Sequence, residues 1–412
     1  MNTGTFAKRC AGALAIALAS LAPGGLMAQT RSFVLLEPAA QGSPTYLLGS
    51  EADLAAFPKW TDLESRTRQL ADMDRGSFTG AEGKKIHYRV YRNRAETRGG
   101  IVIVSGRTEG LPLYQEIIYD LVRNGYSVYI HDHRGQGFSQ RLVSSDPTMG
   151  YIDDFDNYVK DLSAFINGPV RNARSSGDKP LFLVAHSMGG AVTALYLEGT
   201  PDSSIKAAAL VTPMMEPWAA GDPSPSIVAK LADAFCDSFS RKIGMFTLLS
   251  TVYAQGTEFD KQYDEFHVAA PDKENGISQS RVRYERNWET RKTAECSGAD
   301  CGSTHAKVGG ASYRWFNQSC NASEQARGES AANIKVPVLL LQGENDKAVK
   351  PSAQKEFCDS LNKAHGSGYC VGRTIPEAQH AVLIEKDSYR NPALSRVLQF
   401  LDCVRSGTAR CE

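Results

Sequence analysis

Short apolar runs recur along the chain, each ending in a turn of small residues before a segment with helical spacing. They cover Gly100–Ser105, Ser127–His131, Pro180–Ala185, Lys206–Val211, Val336–Leu341 and Cys370–Pro376. Continuous runs of this length predict strands buried on both faces, as in a parallel sheet. Between them, Tyr114–Arg123 and Asn157–Ile166 predict helices that cross back over the sheet, and Asn391–Cys403 predicts a closing helix. Nearer the N-terminus, Ser77–Ala81 and Lys85–Tyr91 predict an antiparallel hairpin opening the sheet, preceded by a helix over Asp62–Met73. The fold class is therefore α/β, a mostly parallel sheet with helices on both faces. Between Thr212 and about Asn333 the alternation breaks into a polar, charged stretch. The expected division is a core of residues 77–211 and 334–412, an insertion of 212–333 and an N-terminal extension of 29–76.

The ends of three strands carry chemistry. Leu183-Val184-Ala185-His186-Ser187-Met188-Gly189-Gly190 places a serine between an apolar run and the helical pattern Ala191–Leu197. A serine at such a junction projects its hydroxyl above the carboxyl edge of the sheet, beside the free N–H groups of a helix start. The usual pattern is Gly-x-Ser-x-Gly, and Ala185 replaces its first glycine. Further on, Val336–Gly343 runs into Asp346, and Arg373–Gln379 ends at His380. A serine hydroxyl needs an imidazole to take its proton, and the imidazole needs a carboxylate to fix its tautomer. Ser187, Asp346 and His380 follow the chain order of α/β-hydrolases. Taken singly, Asp346 also reads as a helix cap and His380 as a surface histidine. The strand Gly100–Ser105 ends in Gly106-Arg107, so the backbone N–H groups of Arg107 and Met188 are the expected oxyanion donors. The Arg107 side chain reads equally as a salt-bridged loop residue or a contact for an anionic substrate.

The resemblance extends beyond these three residues. The run Gly125–Ser139, including His131-Asp132-His133-Arg134-Gly135, resembles the lysophospholipase and monoacylglycerol lipase branch of the α/β-hydrolases, especially the bacterial lysophospholipases. So do Tyr151–Val159, Gly309–Trp315 and His380–Asp387, and the likeness covers roughly Ser77 to Val404. It implies Ser187 as nucleophile, Asp346 as acid and His380 as base, with 212–333 forming a cap. Asp132 and Arg134 are expected to form a structural ion pair. Met214, Tyr313 and Trp315, with Met215, Trp218, Phe246 and Leu248, are expected to line an acyl pocket. The implied activity is hydrolysis of lipid carboxylic esters, lysophospholipid or monoacylglycerol, through an acyl-serine, with no metal or organic cofactor. Short-chain carboxylester hydrolysis, acyl transfer through the same intermediate, and a non-catalytic lipid binder stay open.

Composition narrows the setting. The 412 residues are 42% hydrophobic and 22% charged, globular values. Lys+Arg and Asp+Glu both number 46, so nothing favours nucleic acid as a partner. The expected partner is a small-molecule or lipid ester, with transient contact to a membrane surface through an apolar cap rim. Lys8 and Arg9 precede the apolar run Ala11–Leu21 and the small residues up to Ala28, the order of a secretory signal over 1–28. Export to the periplasm or medium is expected. Cys10 falls within that segment, leaving eight cysteines, an even number that favours disulfides outside the cytoplasm. The expected pairs are Cys296–Cys301, Cys358–Cys370, Cys403–Cys411 and Cys236–Cys320. Zinc held by Cys296, Cys301, His305 and Cys320 is the competing arrangement, and free buried thiols a third.

Overall fold

The computed structural model describes residues 33–37, 45–174, 179–199, 201–218, 236, 250–261, 277–408 and 411. The segment 1–28 read as a signal, together with Phe246 and Leu248, lies outside the described residues. The main sheet is formed by β1 (Ala71–Thr79), β2 (Lys85–Asn93), β3 (Gly99–Val104), β4 (Tyr126–His131), β5 (Leu181–His186), β6 (Ile205–Val211), β9 (Val338–Gly343) and β10 (Cys370–Ile375), while β7 (Tyr253–Gln255) and β8 (Ala311–Ser312) pair separately. The order across the main sheet is β1-β2-β4-β3-β5-β6-β9-β10. β1–β2 and β2–β4 are antiparallel, and every other pairing is parallel.

Period-two alternation sorts the strand side chains between two cores. Val102, Val104, Leu183 and Ala185 pack on one face, with α4 (Asp156–Phe165), α5 (Met188–Glu198), α7 (Tyr313–Arg327) and α8 (Pro351–His365). Ile101, Ile103, Phe182 and Val184 point the other way, against α3 (Gln115–Arg123) and α9 (Asp387–Arg405). Each fully buried aliphatic or aromatic side chain contributes roughly 1.5–3 kcal/mol, which is why β3–β6 and β9 show in the sequence as unbroken apolar runs.

Three expectations shift. The sheet starts at Ala71, six residues earlier than Ser77, because the helix α2 (Trp60–Leu70) stops before it. β1 is an edge strand with Asp72, Asp74 and Arg75 along it, so no apolar alternation announces it. Secondly, β6 and β9 are neighbours, so the excursion after Val211 leaves and rejoins the middle of the sheet. Its last helix, α7, is a core element: Trp315, Phe316, Cys320, Ala322 and Ala326 belong to the same buried cluster as the α5 residues Ala191 and Val192. The stretch 212–333 is therefore not peripheral throughout. Thirdly, Asp132 and Arg134 do not pair. Asp132 accepts the N–H groups of Leu111 (2.6 Å) and Phe138 (2.7 Å), tying two loops together. Arg134 reaches instead to Asp161 of α4, with bonds of 2.7 and 2.8 Å.

The cysteines are joined as Cys236–Cys320, Cys296–Cys301, Cys358–Cys370 and Cys403–Cys411. With the sulfurs of Cys296, Cys301 and Cys320 in disulfides, the zinc arrangement is not formed. No described helix is long and apolar enough to cross a membrane.

Candidate active site

Ser187 sits between β5 and α5 with φ 51° and ψ −120°, a conformation that costs a residue with a side chain about 1–3 kcal/mol. Its surroundings hold it there. The Ser187 N–H donates to the Val211 carbonyl (3.1 Å), and its own carbonyl accepts from Gly190 and Met214, both at 2.8 Å. The turn must also pass close to β3. A Cβ on Gly189 would lie 2.2 Å from the Val104 carbonyl oxygen and 2.5 Å from that of Ser105. Ala185 is fully buried within β5, so its methyl is accommodated where the usual pattern has glycine.

The three residues from distant strand ends meet. His380 Nε2 is 2.8 Å from Ser187 Oγ, and His380 Nδ1 is 2.8 Å from Asp346 Oδ2. Asp346 is fully buried, and its other oxygen accepts the N–H groups of Ala348 (2.8 Å) and Val349 (3.1 Å). That fixes the carboxylate edge facing the imidazole. The loop carrying His380 is pinned at its carbonyl, which accepts from Thr212 Oγ1 at 2.8 Å and faces His186 Nε2 at 3.3 Å.

Met188 opens α5, so its N–H has no intrahelical acceptor. The Arg107 N–H, on the turn after β3, has no acceptor among the described residues. Of the expected acyl-pocket residues, Met214 is buried and donates its N–H to the Ser187 carbonyl. Trp315 is buried with its ring 5.2 Å from the Arg107 guanidinium carbon. Met215 is buried and Trp218 half-buried. Tyr313 is half-buried at the start of α7, its N–H donating to the Val252 carbonyl.

These features are those of a serine hydrolase on an α/β scaffold, and comparison with known proteins is specific. Residues 95–387 match the family described as serine aminopeptidase, S33. The chain belongs to this family. Within it, lysophospholipase L2 of Escherichia coli K12 is 33% identical over 332 residues, 80% of this chain and 87% of that one. The probable lysophospholipase L2 of Haemophilus influenzae is 26% identical, covering 79% of this chain and 91% of its own. Among solved structures, a soluble variant of monoglyceride lipase from Saccharomyces cerevisiae superposes with a TM-score of 0.57 at 18% identity, over 81% of this chain and 95% of that one, a likeness of fold.

For this S33 member the sequence reading passed over Glu109 and His186. Glu109 Oε1 stands 2.8 Å from His186 Nδ1 in an ion-pair contact, and Oε2 accepts from Gly106 N–H and Tyr114 Oη, both at 2.5 Å. This pair links the turn of Arg107 to the residue before Ser187. Its only sequence signal was a carboxylate two positions after Arg107 and a histidine adjoining the serine. Burial opposes charge on both groups. For His186 the charge and hydrogen bond of Glu109, with the His380 carbonyl and Asp346, together outweigh it and raise the pKa, while the His186 charge and the hydrogen bonds of Glu109 lower that of Glu109.

Proposed function

We propose that this chain hydrolyses carboxylic esters of lipids, a lysophospholipid or monoacylglycerol, through an acyl-serine intermediate. The observation that carries the reading is the pair of 2.8 Å contacts linking Ser187, His380 and Asp346 at a strained strand-to-helix turn. His380 takes the proton of Ser187 as Oγ bonds to the ester carbonyl carbon, and Asp346 stabilises the resulting imidazolium. The backbone N–H groups of Arg107 and Met188 are the oxyanion donors; one such donor is worth about 3–4 kcal/mol of barrier. The tetrahedral intermediate expels the alcohol, which receives the proton from His380. Water, deprotonated by the same imidazole, then releases the fatty acid and restores Ser187. The names of the lysophospholipase and monoglyceride lipase relatives support the lipid substrate. None of them is named an acyltransferase, and acyl transfer is not carried forward. Buried Met214, hydrogen-bonded to the Ser187 carbonyl, and buried Trp315, against the Arg107 side chain, support an apolar acyl site. The N-terminal pattern and four disulfides support function outside the cytoplasm.

The test is Ser187→Ala. Turnover of a p-nitrophenyl acyl ester is expected to fall by roughly 10⁴-fold or more, with the far-ultraviolet circular dichroism unchanged. Labelling of the parent protein, and not the variant, by a fluorophosphonate excludes the non-catalytic binder. A variant that keeps its rate removes Ser187 from the mechanism.

A further inference from the structure

His380 lies on the loop of residues 376–386 between β10 and α9, and the placement of that loop decides whether Nε2 reaches Ser187. The residues on either side of His380 each have their N–H group held. The Gln379 N–H donates to Glu385 Oε1 (3.0 Å), and the Ala381 N–H donates to the Ile277 carbonyl (2.8 Å). With Thr212 Oγ1 on the His380 carbonyl (2.8 Å), the peptide after His380 is fixed at both ends.

Glu385 is fully buried. Its second oxygen accepts the N–H groups of Gln279 (2.8 Å) and Lys386 (3.1 Å). A buried carboxylate is costly unless it is hydrogen-bonded, and N–H bonds to a charged acceptor are stronger than neutral ones. Here three backbone N–H groups converge on one side chain: from the residue before His380, from the approach to α9, and from residues 277–280. That last segment runs along the loop. Ser278 Oγ donates to the Ile384 carbonyl (2.7 Å), and Gln279 Nε2 donates to the Glu377 carbonyl (2.7 Å). The same Glu377 carbonyl accepts from Nδ2 of Asn345 (3.1 Å), the neighbour of Asp346. The loops of acid and base therefore share one oxygen with Gln279. Past Ser280, whose hydroxyl caps the first turn, the chain enters α6 (Arg281–Thr293), and Arg283 Nη1 donates to the Glu385 carbonyl (2.6 Å).

Resting on the ester hydrolase reading, we infer that Glu385 is a positioning residue for the catalytic base, clamping the His380 loop to residues 277–280 so that Nε2 stays against Ser187 Oγ. Glu385 touches no reacting atom. Its two oxygens face different donors, Gln379 on one and Gln279 on the other. Misplacing a catalytic group by about 1 Å can cost 10²-fold in rate, so the clamp acts on kcat rather than on substrate affinity. Glu385→Gln keeps the shape of the side chain but turns one acceptor into an NH₂ donor, which cannot bond the N–H group it faces.

The experiment measures kcat and KM for a p-nitrophenyl acyl ester, and the second-order rate of Ser187 labelling by a fluorophosphonate. The parent protein, Glu385→Gln and Gln279→Ala are compared. The final extent of labelling counts the folded sites, so every rate is expressed per site. Glu385→Gln is expected to lower kcat and the labelling rate by about 10²-fold, with KM little changed. Gln279→Ala removes only the bond to the Glu377 carbonyl among those of the clamp and is expected to lower both rates about fivefold, the size of one hydrogen bond. It carries the test if Glu385→Gln does not fold. Fewer labelled sites with an unchanged rate per site would show that Glu385 merely supports the fold, and overturns the positioning role. A loss that falls on KM alone overturns it as well. In both cases the parent protein still hydrolyses the ester and labels at Ser187, so the esterase reading stands; a parent protein that does neither overturns that reading and the positioning role together.

Discussion

Glu109 and His186 are not part of the relay, yet both ends of their pair reach it. Glu109 holds the Gly106 N–H on the turn of Arg107, and His186 faces the carbonyl of His380. The protonation of the pair therefore bears on how firmly the site is assembled. His186 is raised above its ordinary 6.5, so its contribution to stability is complete below that value and is lost as pH rises through the raised pKa. Glu109 is lowered below its ordinary 4.5, so its contribution is complete above 4.5 and is lost as pH falls through the depressed pKa. The window of full stabilisation is thus pH 4.5 to 6.5, with decline on the alkaline side. Glu109→Gln is expected to destabilise the fold by roughly 1.5–3 kcal/mol near pH 6, the range for a charged hydrogen bond, and by clearly less at pH 9. Urea melts of parent and variant at both values check this; an equal loss at the two pH values would mean the pair is not charged.

The turn between β5 and α5 converts a sequence motif into a conformation. Gly189 is needed for space rather than for unusual dihedrals, since the carbonyls of Val104 and Ser105 occupy the position of its missing Cβ. Gly189→Ala must push α5 away from β3, and overpacking of this kind costs about 1–3 kcal/mol, occasionally more. The expected outcome is a lower urea midpoint with unchanged slope, and esterase activity reduced more than the folded fraction, because Ser187 moves with the helix. The same local logic explains what was legible beforehand. The central strands carry buried side chains on both faces, so β3 to β6 and β9 stand out; Ser187 and Asp346 follow β5 and β9 as polar residues beyond their ends, and His380 follows β10. β1 was misplaced because an edge strand bearing Asp72, Asp74 and Arg75 has no such run. The partner of Arg134 was misassigned because Asp161 lies on α4, across the fold, while Asp132 lies two residues away in the sequence.

Charge pairing over long distances is where local patterns fail altogether, and it joins α6 (Arg281–Thr293) to helices far away in the sequence. Arg283 on α6 is buried and donates to Glu116 of α3 (2.8 Å), to Asp387 of α9 (2.7 Å) and to the Glu385 carbonyl (2.6 Å). Arg390 of α9 continues the chain to Asp120 (2.7 Å) and stands 3.5 Å from Glu116. Three helices far apart in the sequence thus meet through one set of ions, on the same side as the loop that carries His380. Such pairs contribute little relative to an apolar replacement, because desolvation offsets attraction, but removing one partner strands the other at about 3–5 kcal/mol. Arg283→Met should therefore be severe, since Glu116 and Asp387 both lose their shared cation. Glu116→Leu added to it should restore part of the loss by removing the stranded carboxylate, while Arg390 keeps Asp120. The coupling energy from the double-mutant cycle is the quantity to measure. A double variant as unstable as the sum of the singles would show that Arg283 acts by filling space rather than by balancing charge.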